Sequence, residues 1–356
     1  MNIEVYDRNF NLLGICDTYE SFLWNIKYAK YGEFEIVLPD NLPIIDYLAY
    51  DHYITLPDSD RWMIIEKQVP VTDVEAGNRI AYSGRSLESI LLRRIVWTQT
   101  VISGKVQQAV KRLLTDAIIN PSIASRKIDN FIFKESSDPY ILGLTMSEMQ
   151  FTGDNLYDVI THICELYGLG FKITINTNKQ FVFELYNGKD RTNAQLINPA
   201  VEFSVNNGNL MRASIVYDKQ SYCNVTLIAG EDEGINRKTA IYGDASGLDR
   251  RELFTDARDI STNAGEISLA DYNTQLIARG KENLAGYQCI EEIDSEIDPN
   301  SDGMFKLNED YFIGDLINIM DSRNIFSIMR VDEITINDDT NTFSIHPIFT
   351  KVFDIF

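Results

Sequence analysis

Along the first 95 residues, short runs of β-forming residues recur at 3–6, 12–16, 22–28, 34–38, 53–56, 62–69 and 79–83, and the run at 34–38 alternates apolar with polar. A period of two puts alternate side chains on one face of a pleated strand. Turn-forming residues separate the runs, among them Asp7-Arg8-Asn9 and Glu75-Ala76-Gly77-Asn78, and Pro39 ends the run at 34–38. Many short antiparallel strands joined by short turns predict a small barrel or sandwich. The block closes with GRSLESILLRRIVW, where Ser86 is placed to cap a short helix with Leu87, Ile90 and Leu91 on its apolar face.

Near residue 100 the period lengthens. Val106, Ala109, Val110, Leu113, Leu114, Ala117 and Ile118 make one stripe with Lys111, Arg112 and Asp116 off it, which predicts an amphipathic helix over 103–119 that Asn120-Pro121 ends. A second helix is predicted over 154–167, with Asp154 as its cap, Leu156, Val159, Ile160, Ile163 and Leu166 as its stripe, and Gly168 as its stop. A hairpin follows at 171–175 and 180–185 around Asn176-Thr177-Asn178-Lys179. Strand patterns return at 200–205, 213–217 and 224–228, then at 316–320, 326–336 and 342–348, and one helix is predicted near 269–285. The order is a β block, an α+β unit, and a second β block interrupted by an insertion.

Charge adds to this picture. The net charge is −21, and residues 231–310 hold 19 acids against 8 bases, a net of −11, so the excess is concentrated in the insertion. Such a chain is repelled by nucleic-acid phosphates and anionic membranes, although acidity alone also confers solubility. The N-terminus lacks the apolar core of a signal peptide, and no window approaches ~18 uninterrupted apolar residues. The expectation is a soluble protein made in a cytoplasm and not exported by a signal of its own. Cys16, Cys164, Cys223 and Cys289 are far apart, which points to free thiols and not to a disulfide framework or zinc site.

Little in the sequence suggests catalysis. Only His52, His162 and His346 are present, none in H-E-x-x-H, and neither a G-x-S-x-G elbow nor a phosphate-binding glycine loop occurs. His162 and Cys164 stand two apart on a predicted helix and so point to different faces. One pattern has ligand spacing: Asp298, Asn300 and Asp302, then Gly303 and Glu309, match D-x-[DN]-x-[DN]-G-x5-E, a calcium-loop arrangement. Strand-like runs flank it where an EF-hand needs helices, and Lys306 occupies a liganding position, so a polar turn between strands is the favoured reading. No catalytic residue, metal or cofactor is expected.

Several stretches together resemble the phage tail-tip and baseplate hub proteins, of the siphovirus tail-associated type related to myophage hubs. They are IEVYDRNFNLLGICDTYESFLWNIKYAKYGEFEIVLP, GRSLESILLRRIVW, YCNVTLIAGEDEG, RRELFTDARDI and DYFIGDLINI, spread in order over nearly the whole chain. Ile313 stands where leucine is usual. Arg85, Arg251 and Asp315 lie inside these motifs and are read as fold-fixing charges. The resemblance implies an α+β, mainly antiparallel fold with two tail-tube-like β-barrel domains, an α+β domain between them and an insertion in the second barrel. The units would be a first barrel at 1–97, the α+β domain at 98–195, a second barrel at 196–235 and 310–356, and an acidic α/β insertion at 236–309.

By the same resemblance the function is structural: a homotrimeric ring that closes or extends the tail tube and matches a three-fold hub to a six-fold tube. The implied partners are a distal tail protein hexamer, the tape-measure protein, and tail fibres or adhesins. Phage DNA would meet it only in transit, and no membrane insertion is expected; the excess of 21 acids adds the expectation that carboxylates line the channel and repel that DNA. The location would be the virion tail tip. Larger relatives add C-terminal cell-wall hydrolase or fibre regions, and the chain's end at Phe356 implies their absence. The competing readings are a peptidoglycan-degrading tail enzyme, which needs converging carboxylates or a metal, and a receptor- or carbohydrate-binding tail protein, which needs exposed aromatic platforms.

Overall fold

A computed structural model describes residues 1–57, 59–72, 77–262, 265–297, 305–320, 325–339 and 342–352. The first block forms seven strands: β1 (Ile3–Tyr6), β2 (Leu12–Cys16), β3 (Ser21–Lys27), β4 (Glu33–Pro39), β5 (Tyr53–Thr55), β6 (Trp62–Val71) and β7 (Arg79–Ser86). Their alternation is the one in the sequence: in β4, Phe34, Ile36 and Leu38 are buried while Glu33 and Glu35 face water. The turn after β1 is closed by the Asp7 carboxylate, which accepts from the backbone of Asn9 and Asn11 at 2.8 Å each. Gly84 has no substitute in β7, because a Cβ there would lie 1.8 Å from the Ile64 carbonyl oxygen of β6.

The helix expected to start at Ser86 is a 3-10 turn over Leu87–Arg93, and Ser86 does not cap it. Its hydroxyl is taken by the Gly32 N–H at 2.8 Å, a tie across the block that outcompetes the local cap. The middle unit contains β8 (Thr100–Lys105), α1 (Val106–Leu114), β9 (Phe131–Lys134), α2 (Pro139–Gly143), β10 (Thr145–Phe151), α3 (Leu156–Leu166), β11 (Gly170–Ile175) and β12 (Phe181–Tyr186). The helix expected over 103–119 begins at Val106, since 103–105 belong to β8, and it widens into a π-turn at Thr115–Ile119. The cap of α3 is Asn155 and not Asp154: Asn155 accepts from the Tyr157 N–H at 2.9 Å, while Asp154 accepts from that of Thr152. Gly168 ends α3 as expected, at φ +64°, with the Leu169 N–H returning to the Cys164 carbonyl.

The rest comprises β13 (Glu202–Ser204), β14 (Arg212–Asp218), β15 (Val225–Ala229), β16 (Thr239–Tyr242), β17 (Glu252–Asp256), α4 (Leu269–Ala285), β18 (Ile290–Glu296), β19 (Leu316–Met320), β20 (Phe326–Asp339) and β21 (Phe343–Lys351). Thirteen described strands form one sheet with the path β14-β18-β21-β20-β3-β4-β7-β6-β5-β1-β2; β19 also pairs with β20, and β13 lies parallel beside β19. The seam between the two β blocks is β3 on β20, where the Asn25 amide bonds Glu333 and Thr335 at 2.6 and 2.8 Å. No closed barrel is found among the described residues; the path is open. β15, which lies within 196–235, pairs with β16 and β17, whereas β18, within 236–309, pairs with β14 and β21.

Three cores follow from these layers. One lies under α1 and α3, with Leu114, Ile118, Ile160, Ile163, Phe171 and Phe183, and also takes Tyr28, Leu87 and Leu91 from the first block. A second runs through both β blocks, from Trp24, Phe34 and Tyr82 to Phe203, Ile317 and Phe349. The third is small and sits between α4 and the β15–β17 sheet, around Ile228, Tyr272 and Leu276.

Candidate functional site

Where the first β block meets the hairpin β11–β12 and the start of β19, charged side chains leave water in pairs. Arg61, just before β6, is buried and donates to Glu88 Oε1 and to the Tyr186 hydroxyl, both at 2.8 Å. Glu88, from the GRSLESIL stretch, also accepts from the Ile173 N–H at 3.0 Å, so one carboxylate ties the 3-10 turn to β6 and to β11. Lys172 bridges Asp60 and Glu184. Burial works against the Asp60 carboxylate, but Arg61 and Lys172 outweigh it and hold the group below its ordinary value.

Asp315, in DYFIGDLINI, makes the matching connection on the other side. It pairs with the buried Arg191 at 2.6 Å and accepts from the backbone of Lys189 at 2.7 Å and of Phe312 at 3.1 Å. Gly314 beside it sits at φ +94° with a would-be Cβ 2.4 Å from the Tyr28 ring, so this motif needs glycine on both counts. Tyr28 donates to the Gly168 carbonyl at 3.1 Å, and burial pushes its hydroxyl up to about 12, with Arg330 over the ring opposing. A cavity of about 360 Å³ lies between these groups, walled by Arg61, Lys172, Tyr186, Phe312 and Asp315. Around it Arg61, Lys172 and Arg191 each pair with a carboxylate. The geometry is that of a knot holding three stretches of chain in register.

Arg85 forms a two-pronged pair with Glu66 at 2.6 and 3.0 Å and lies over Tyr31, and Arg251 holds the Lys219 carbonyl. With Asp315, these motif charges all bond within the chain. The histidines are dispersed: His52 meets the Tyr47 carbonyl, His346 meets Ser344, and His162 is exposed. Cys164 points the other way, fully buried, and burial raises its thiol far above the ordinary range. Of the calcium-loop residues, Asp298, Asn300 and Asp302 lie outside the described residues, while Glu309 is exposed and meets Lys306 at 3.4 Å. β18 and β19 are the strands on either side, as read from the sequence. Among the described residues no cluster of three or more His, Cys, Asp or Glu could hold a metal. No helix among them is long and apolar enough to cross a membrane.

The sequence reading missed Arg61, Glu88, Tyr28, Tyr186 and Arg191. Arg61 stands in a polar Asp-Ser-Asp-Arg turn that looks solvated, and Glu88 looks like the outer face of a short helix. The available signal was that Tyr28 and Glu88 each lie inside a motif.

This fold is that of phage tail proteins. It is similar to the tail protein of Neisseria meningitidis MC58, with a TM-score of 0.63 and 13% identity over 98% of this chain and 96% of that one. It is also similar to the 43 kDa tail protein of prophage MuSo2 from Shewanella oneidensis (TM-score 0.59, 10% identity, 99% and 98% covered). A third similar structure is prophage tail protein gp18 of Listeria monocytogenes EGD-e (TM-score 0.56, 14% identity, 99% and 95% covered). No curated protein matches. The chain belongs to the Siphovirus ReqiPepy6 Gp37-like protein family, whose model matches residues 2–349.

Proposed function

We propose that this tail protein is a structural hub subunit of a phage or prophage tail tip, three copies of which form a ring around the path of the DNA. The observation that carries the reading is the open sheet. Both β blocks contribute to it, and among the described residues the strands that end its path, β2 and β14, each have a partner on one side only. Apolar residues stand exposed on these edges, Leu12 and Ile15 on β2 and Val216 on β14, and an unpaired edge is a template for another chain. Edge contacts between different strands are heterologous, and such contacts repeated by rotation close a ring.

In this reading 1–97, together with 196–235 and 310–356, supply two tube-like modules per copy, whose closure comes from neighbouring copies. The unit at 98–195 stands outside the modules, as does the acidic insertion at 236–309 apart from β18, which joins the main sheet, while β15 goes with the insertion's small sheet. The ring closes or extends the tail tube beneath a distal tail protein hexamer, meets the tape-measure protein, and anchors fibres or adhesins during attachment and DNA passage. The net charge of −21 suits a channel to which DNA does not adhere. Light scattering of the purified chain tests the reading: a trimer is expected, and Ile15→Lys or Val216→Lys is expected to return it to monomer. Edge variants that assemble normally, or cell-wall hydrolysis by the pure chain, overturn it.

A further inference from the structure

One groove is out of keeping with an acidic chain. Between the end of the GRSLESILLRRIVW stretch and the 3-10 turn Ala124–Arg126 lies a cleft of about 500 Å³, formed by Arg94, Ile95, Trp97, Ile123 and Arg126. Its apolar walls are exposed: Trp97 retains 56% of its surface, and Ile95 and Ile123 more than a third of theirs. Two of the three arginines that line it, Arg94 and Arg126, lack counter-charges among the described residues. Arg94 bonds the carbonyls of Arg126 and Arg93, Arg126 bonds that of Ile95 and lies over Trp97 at 5.2 Å, and neither meets a carboxylate among the described residues. Neighbouring Arg93 does meet Asp51 and Glu66. Burial lowers the Arg94 value, and the like charges of Arg126 and Arg93 add to it.

The same chain carries a complementary feature. Between β15 and β16 the backbone makes a tight 3-10 turn, Gly234–Asn236, with Asp232 and Gly234 at positive φ. Ile235 at its tip is fully exposed, and Asp232 and Glu233 beside it are exposed too. Glu233 meets no cation within ion-pair distance among the described residues, and Asp232 only Lys238 at 4.0 Å. An apolar tip flanked by carboxylates fits an apolar cleft flanked by guanidiniums. Since Ile235 is uncovered in its own copy, the fit is between copies.

We infer that the Arg94–Trp97–Arg126 groove receives the Ile235 turn of a second copy of this chain. The contact is heterologous, with groove and turn on different units, and so can repeat around a ring. Burying Ile235 against Trp97 and Ile123 supplies the apolar term, and the two arginines fix orientation by pairing with Asp232 and Glu233. Nucleic acid is the weaker candidate for the groove, since two arginines without carboxylate partners in a chain of net charge −21 make a small phosphate site.

The inference rests on the ring reading, and the test separates the two. Sedimentation of the full-length chain over a range of concentrations gives the assembly midpoint, and acrylamide quenching reports Trp97, the most exposed of the three tryptophans. Ile235→Ser and Arg126→Glu are each expected to raise the midpoint by about tenfold or more and to keep Trp97 accessible. Arg126→Glu combined with Glu233→Arg is expected to restore both readouts. Leu248→Ser removes an equally exposed residue beyond the opposite end of the same small sheet and is expected to change neither. Wild-type chain that stays monomeric throughout overturns both readings. A trimer indifferent to Ile235→Ser and to the charge swap overturns this one and leaves the ring standing. Loss of duplex-DNA retention in Arg126→Glu with assembly unchanged assigns the groove to phosphate and likewise overturns it. Should Arg126→Glu fail to fold, Ile235→Ser, at a site without intrachain contacts to lose, still decides.

Discussion

Glu88 shows how one side chain can set the relation of two units. It has 1% of its surface exposed, yet it accepts both from the Arg61 guanidinium and from the Ile173 N–H, so removing its charge leaves the buried guanidinium with only Asp60, at 3.6 Å, as a counter-charge. Glu88→Gln is therefore expected to destabilise the chain by about 3 kcal/mol in urea unfolding. An apolar pair, Arg61→Met with Glu88→Leu, is expected to recover much of that loss. Glu231 controls a second, smaller locality. Lys238 first, then Thr262, holds its carboxyl down at about 2, against an ordinary 4.5. A lowered folded-state value means that the stabilisation is whole above about pH 4.5 and is lost as pH falls towards 2. Hydrogen exchange is expected to show β15–β17 loosening across that interval, and Glu231→Gln is expected to flatten the response there while leaving the main sheet unchanged.

At the scale of elements, what could be read depended on how far a pattern ran. The alternation in β4, the stripe of α3, the Gly168 stop and α4 at Leu269–Ala285 are all visible in the residues, because each repeats a period several times. β8, β9 and β10 were not visible: β9 is four residues long, and β8 ends in Ser-Gly-Lys, too little to show a period. The α3 cap was misplaced by one because Asp and Asn stand together and either can cap; the tie is broken by the Asn155 amide, which also donates to the Leu92 carbonyl at 3.0 Å. Asn155→Ala is accordingly expected to cost about 1 kcal/mol in thermal unfolding, more than Asp154→Ala. Gly84 belongs to the same scale. Since backbone and not a movable side chain meets its would-be Cβ, Gly84→Ala is expected to cost more than about 3 kcal/mol, or to prevent folding, in urea titration of the soluble chain. The site was the least legible part, because burial of Arg61 and Arg191 depends on strands that join residues far apart in sequence.

Considered as a whole molecule, the chain is one long open sheet carrying an α+β unit and a small acidic sheet on its loops. The seam of β3 on β20 joins the two β blocks in the middle of the path, which leaves β2 and β14 at its opposite ends. A sheet with two such edges is poorly suited to isolation and well suited to repetition about an axis. The resolving measurement is a reconstruction of the assembled protein, with its mass taken from the same sample. Three copies about an open axial pore, with β2 and β14 covered by neighbouring chains, is the predicted result. A stable monomer, or a two-fold dimer that leaves both edges bare, would contradict it.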